Sequence, residues 1–147
     1  MPDYPERLAH AVPGWVKRGS VYHIRIRTGR NSDVPLTSDQ LGHALLDSAR
    51  FYHDRERWHC HVLLLMPDHL HALIAFPICT VISDVLGAWK GFQSKQHAVY
   101  WQENYFDHRI RSQKELAEKA AYIRLNPVAK GLCARPEDWP WVYCGRP

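Results

Sequence analysis

The chain has 147 residues, a length that fits one domain over 1–147, with a core over about 15–130 and an irregular tail over 131–147. Hydrophobic residues at 46% and charged residues at 23% exclude a wholly disordered chain. Apolar runs such as Val62 to Met66 fall far short of the roughly 20 residues that span a bilayer, so no membrane partner is expected. The first residues, Met1 to Arg7, carry no apolar signal core, and the expectation is a cytoplasmic protein. A formal net charge of +4 is compatible with a nucleic-acid partner without requiring one. The four cysteines form no C-x-x-C pair, so they read as reduced thiols rather than a zinc site or disulfide frame.

Taken in chain order, Val21 to Arg27 alternates Tyr22, Ile24 and Ile26 with His23, Arg25 and Arg27, which predicts a strand with one buried and one basic face. A polar loop then leads to an amphipathic helix ending near His53, with Thr37 and Gln40 as its expected capping box. Trp58 to Met66 and His69 to Phe76, joined by Pro67-Asp68, predict a β-hairpin. Both strands are apolar on successive residues, which places them centrally, covered on both faces. A second helix is expected from Val81 to His97, with Thr80 as N-cap and Val85, Leu86, Trp89 and Phe92 inward. A basic strand follows over Tyr105 to Arg111. Ser112-x-x-Glu115 then opens a third helix that Pro127 is expected to end. The order predicts an α+β fold: a ferredoxin-like βαββαβ antiparallel sheet with an additional C-terminal helix. The Trp- and Pro-rich tail is expected to strap the second face of the sheet in a monomer, unless a partner subunit of a homodimer covers it.

Several residues have side chains able to carry chemistry. His69 and His71 open a strand just after a turn, and their i, i+2 spacing sends both imidazoles to one face. Such a pair is either half of a divalent-metal site or two hydrogen-bonded, partly buried histidines. His59 and His61 form a second pair of the same spacing, read as structural because it lies further from the turn. On the third helix Leu116, Ala120 and Ile123 make the core stripe, while Tyr122 falls among Glu115, Glu118, Lys119 and Asn126. Asn126 stands one turn beyond Tyr122, so the amide neighbours the phenol. Arg25, Arg27, Arg109, Arg111, Lys119 and Arg124 are candidates for a phosphate-backbone track. Tyr100, Trp101, Tyr105 and Phe106 could stack bases or pack in the core.

Four stretches carry a resemblance. Met66-Pro67-Asp68-His69-Leu70-His71-Ala72-Leu73-Ile74 resembles the histidine–hydrophobic–histidine (HUH) motif of the single-tyrosine transposases. Trp101 to Arg111 and Tyr122-Ile123-Arg124-Leu125-Asn126-Pro127-Val128 resemble the REP-associated tyrosine transposases in particular, as does the closing run Arg135 to Trp141. The resemblance covers about Trp15 to Trp141, with the blocks in the family's order. It implies that His69, His71 and Asn126 hold Mg²⁺ or Mn²⁺ and that Tyr122 is the nucleophile. Asp68 stands where relatives commonly carry Asn.

The activity so implied is metal-dependent cleavage and rejoining of single-stranded DNA through a covalent 5′-phosphotyrosine. The implied partner is a hairpin-forming DNA, the repetitive extragenic palindromes of bacterial chromosomes, which would place the protein at the nucleoid. Two other readings are a non-catalytic hairpin-binding protein or domesticated regulator, and a replication or conjugation initiator of the wider HUH class.

Overall fold

A computed structural model describes residues 18–145, so the expected start of the core near residue 15 lies outside the described residues. The elements are β1 (Arg18–Arg27), α1 (Asp39–Asp54), β2 (His59–Met66), β3 (His69–Pro77), α2 (Ile82–His97), β4 (Phe106–Arg109), α3 (Gln113–Ala129) and β5 (Val142–Tyr143), with a 3₁₀ turn at Pro136–Asp138 before β5. The five strands form one antiparallel sheet in the order β4-β1-β3-β2-β5. The β-α-β-β-α-β order read from the sequence is present, and the additional helix follows it.

The register explains why this sequence needs helices on both sides of the sheet. Arg27 pairs with His69, Arg25 with His71 and His23 with Leu73, while His71 pairs on its other side with Leu64. These residues share one face; Ile24, Ile26, Leu63, Leu65, Leu70, Ala72 and Ile74 occupy the other. The second set packs with Leu41, Leu45 and Ala49 of α1 and Leu86 and Trp89 of α2 in the larger core. The first face carries a smaller core of Val62, Leu64, Met66 and Leu73, closed by Ile123 of α3 and by Ile110. Each fully buried Leu or Ile contributes roughly 1.5–3 kcal/mol, so β2 and β3 anchor both layers.

The tail does more than lie over the core. Val142 and Tyr143 add a fifth strand to the β2 edge, where the Leu65 N–H donates to the Trp141 carbonyl at 2.9 Å. The Trp139 indole N–H donates to the Leu65 carbonyl, also at 2.9 Å. Trp139 packs with the smaller core and Trp141 with the larger, so the tail grips β2 from both faces.

Several local expectations are corrected. Ser38, not Thr37, precedes α1, and it makes no side-chain cap bond. Val81, not Thr80, occupies the N-cap of α2. Phe92 is 51% exposed, and Gln93 takes the inward position one turn after Trp89. The Gln93 amide nitrogen donates to Ser48 Oγ of α1 at 2.8 Å, while its Oε1 has no partner among the described residues. The basic strand is shorter than expected, Phe106–Arg109. Pro127 does not end α3. The helix continues to Ala129 and closes with the Lys130 N–H on the Asn126 carbonyl at 3.0 Å, because a proline so close to the end forgoes only one helical bond.

Candidate active site

The β2–β3 turn delivers the histidine pair. Pro67 and Asp68 reverse the chain, and β3 begins at once with His69, so His69 and His71 both face α3 with ring centroids 5.0 Å apart. Both are buried, at 8% and 3% exposure. α3 opens on Ser112, whose hydroxyl accepts the Glu115 N–H at 3.0 Å. The return half of the expected capping box is redirected: Glu115 accepts the backbone N–H of Arg111 and pairs with His108 of β4, both at 2.7 Å. That pairing ties the start of α3 to β4.

So anchored, α3 brings Tyr122 over the sheet. Its ring lies 6.0 Å from that of His71, edge-on, and 6.4 Å from that of His23. Tyr122 itself is 54% exposed. Asn126, expected on the polar side of the helix, is buried with Ile123 and Pro127 in its last turns, while Glu118 and Tyr122 on that side stay exposed. Its Oδ1 has no hydrogen-bond partner among the described residues.

His23 is the residue that strand alternation misplaced. Read as part of a polar face, it is buried, with Nε2 3.1 Å from Nδ1 of His71. The expected ferredoxin-like order sets β1 beside β3, but no local pattern gives the register that brings His23 to His71. The Nδ1–H of His69 donates to the Asp68 carboxylate at 2.8 Å.

Burial dominates the electrostatics. It pushes His71 down to about 3, with neighbouring His69 and His23 adding to the effect. It pushes His23 down to about 4, helped by Lys119 and Arg25. His69 is also lowered by burial, against an opposing pull from Asp68. The hydrogen bond from His69 lowers Asp68 and keeps it a carboxylate. The three imidazoles are therefore neutral near pH 7, the state in which a histidine offers a lone pair.

Among the described residues no three His, Cys, Asp or Glu side chains are grouped to hold a metal. A set built on His69 and His71 thus needs a neutral third donor, and the orphaned Asn126 oxygen has that character. With Nδ1 of each histidine already engaged, the Nε2 atoms are left for a ligand. Two imidazole nitrogens and one amide oxygen make a donor set that could hold a divalent metal ion with water completing its shell, the amide oxygen being the donor that Mg²⁺ or Mn²⁺ favours.

The basic candidates divide. Arg25 lies with its guanidinium carbon 5.0 Å from the Phe106 ring centroid, and Lys119 Nζ stands 6.0 Å from that of Tyr122. Arg25 and Arg27 both act on the charge of His69 and His71. Arg109 pairs with Tyr22, on the opposite face, and reaches Ser20. Arg124 turns toward Cys144 and a groove of about 300 Å³ lined by His61, Leu116 and Ala120. Arg111 is exposed just beyond β4. Of the aromatics, Trp101 and Tyr105 pack against the larger core, while Tyr100 and Phe106 are exposed. His59 and His61 lie at the other end of β2, where the His59 ring meets that of His53 of α1 at a tilt, with centroids 4.6 Å apart.

No protein-family model matches the chain. A REP-associated tyrosine transposase of Escherichia coli K12 is 25% identical over 133 residues, covering 86% of this chain and 77% of its own. A Haemophilus influenzae protein bearing a provisional form of the same name is 28% identical over 96 residues, 54% of each chain. The structure of a REP-associated tyrosine transposase bound to a REP hairpin superposes with a TM-score of 0.72 at 22% identity, covering 97% of this chain and 82% of that one. Sequence likeness over 86% of this chain and a shared fold make the chain similar to the REP-associated tyrosine transposases.

Proposed function

We propose that this protein cleaves and rejoins single-stranded DNA carrying a REP-like hairpin, in a metal-dependent reaction with Tyr122 as nucleophile. The observation that carries the reading is an exposed phenol set edge-on to a buried histidine whose Nε2 is uncommitted, one helical turn from an orphaned amide oxygen. The relative whose structure holds a REP hairpin supports the choice of DNA.

In this reading Tyr122 Oη attacks the scissile phosphorus. The new bond joins the phenol oxygen to phosphorus, and the bond from phosphorus to the 3′ oxygen breaks. The phenol loses its proton, and the departing 3′ oxygen gains one. The product is a 5′-phosphotyrosine and a free 3′-hydroxyl. Because the phosphodiester energy stays in the protein–DNA link, a 3′-hydroxyl can reverse the step and join strands without ATP. His69, His71 and Asn126 would hold Mg²⁺ or Mn²⁺, which when bound neutralises charge on the non-bridging phosphate oxygens. Lys119, Arg25 and Arg27 add positive charge around the approaching backbone. The half-exposed position of Tyr122 gives a strand access to it without unfolding the site.

The test is a denaturing gel of the protein with labelled single-stranded hairpin oligonucleotides and Mn²⁺. A covalent band with wild type, absent for Tyr122→Phe and for His69→Ala/His71→Ala, is the expected result. Tight hairpin binding on a native gel with no covalent band from any protein would overturn the enzyme in favour of a non-catalytic binder.

A further inference from the structure

The two histidines of the pair are oriented by different acceptors. His69 gives its Nδ1–H to Asp68, a carboxylate in the exposed β2–β3 turn. His71 has no carboxylate at its Nδ1. It meets Nε2 of His23 at 3.1 Å, a ring from the neighbouring strand that is only 5% exposed.

We infer that His23 is a positioning residue for the metal site: its Nε2 accepts the Nδ1–H of His71, fixes that tautomer and leaves His71 Nε2 as the ligating atom. The inference rests on the reading of His69, His71 and Asn126 as ligands.

A neutral imidazole carries one N–H and one lone pair, on different nitrogens. Were the His71 proton on Nε2, its lone pair would face His23 at Nδ1 and nothing would remain for a ligand. With the proton on Nδ1, the hydrogen bond is kept and Nε2 is open. His23 must then present a lone pair at Nε2 and carry its own proton on Nδ1. Its ring is walled in for this purpose, edge-on to Tyr122 at 6.4 Å and to Phe106 at 5.8 Å. The charged and titratable neighbours that bear on it, apart from His71, are Lys119, Arg25 and His108, with no carboxylate among them. The arrangement orients a ligand as an outer carboxylate would, yet adds no negative charge where a phosphate must approach.

The experiment uses the full chain with His23→Leu, which removes the acceptor, and His23→Gln, which offers a carbonyl oxygen near the position of Nε2. Long-range proton–nitrogen NMR of the metal-free proteins reads the His71 tautomer directly. Electron paramagnetic resonance of free Mn²⁺ reads metal affinity, and thermal melts report folding. Wild type is expected to show His71 protonated at Nδ1. His23→Leu is expected to lose that single tautomer and bind Mn²⁺ roughly 10–100-fold more weakly, the usual effect of losing an outer partner. His23→Gln is expected to recover most of the affinity.

A wild-type His71 protonated at Nε2 would overturn the inference, as would unchanged Mn²⁺ affinity in folded His23→Leu. If His23→Leu fails to fold, the wild-type tautomer and the His23→Gln affinity decide the matter. Wild type that binds no Mn²⁺ would overturn the ligand reading and this inference together, whereas unchanged Mn²⁺ affinity in folded His23→Leu overturns this inference and leaves the ligand reading standing.

Discussion

The ring of Tyr122 stands perpendicular to that of His71, with centroids 6.0 Å apart and planes at 83°. The phenol projects from α3 and the imidazole from β3, so the relationship depends on the docking of a helix on a sheet rather than on one local motif. Because Tyr122 is 54% exposed, its hydroxyl can contribute little to the core. Tyr122→Phe should therefore leave stability within about 0.5 kcal/mol of wild type. Adduct formation should fall by at least about 10³-fold, as expected when a nucleophile is removed. Thermal melts and the covalent-band assay check both, and a Phe variant that still forms the band would exclude Tyr122.

Asn126 separates stability from function in the opposite way. Its Oδ1 is buried without a partner, and an unsatisfied buried polar group costs roughly 1–3 kcal/mol. Asn126→Leu is expected to leave the metal-free protein as stable or up to about 1 kcal/mol more stable, while Mn²⁺ binding drops at least tenfold. Urea unfolding without metal is the measurement. A clear loss of stability there would mean that the amide serves the fold instead of a ligand.

Much of this site was legible before any coordinates. Strand spacing placed His69 and His71 on one face, and helix spacing placed Tyr122 beside Asn126, because both periodicities are local. His23 was not legible. It alternates like a solvent-facing residue, and the helix that covers its face comes much later in the chain. Phe92 and Gln93 illustrate the same limit: helical spacing tolerates either as the inward residue, and only Ser48 of α1, which accepts the Gln93 amide, selects Gln93. β5 has two residues, too few for any pattern, and exists because the β2 edge offered Leu65 and its neighbours as partners.

Asp68 tests how far the turn tunes the pair. Its carboxylate accepts the Nδ1–H of His69 at 2.8 Å and is itself largely exposed, so its removal should hardly affect folding. Asp68→Ala is expected to weaken Mn²⁺ binding by about 10–100-fold. Asp68→Asn keeps an oxygen acceptor and should sit between Ala and wild type. Equal affinity for all three by Mn²⁺ titration would remove the turn from the metal site.

Glu115 predicts a pH dependence of α3 docking. The hydrogen bonds from His108 and from the Arg111 N–H hold its carboxyl below the ordinary value of 4.5. A carboxylate depressed in the folded state contributes stability above its unfolded value, and that contribution disappears as pH falls through the folded value. Glu115→Gln should therefore melt below wild type at pH 7, with the two curves converging as the pH falls below the ordinary carboxylate range. A difference that persists unchanged into acid would show that the charge of Glu115 is not what clasps the helix to β4.

The tail reports on the site through Gly42. A Cβ there would stand 2.5 Å from Cζ3 and 2.6 Å from Cε3 of Trp141, and 3.2 Å from the Leu36 carbonyl. Helix propensity alone would make Gly42→Ala stabilising by roughly 0.5–1 kcal/mol, but overpacking buried Gly42 against the partly buried Trp141 ring costs about 1–3 kcal/mol. The clash should win, for a net loss of about 1 kcal/mol or more in urea unfolding. Displacing Trp141 also strains its bond to Leu65, in the strand that leads into the histidine turn. In a Trp141→Leu background the obstacle is gone, and the same Gly42→Ala change should become neutral or stabilising. Stabilisation by Gly42→Ala in the presence of Trp141 would mean that the indole moves aside freely, and that the tail is not the fixed strap its hydrogen bonds describe.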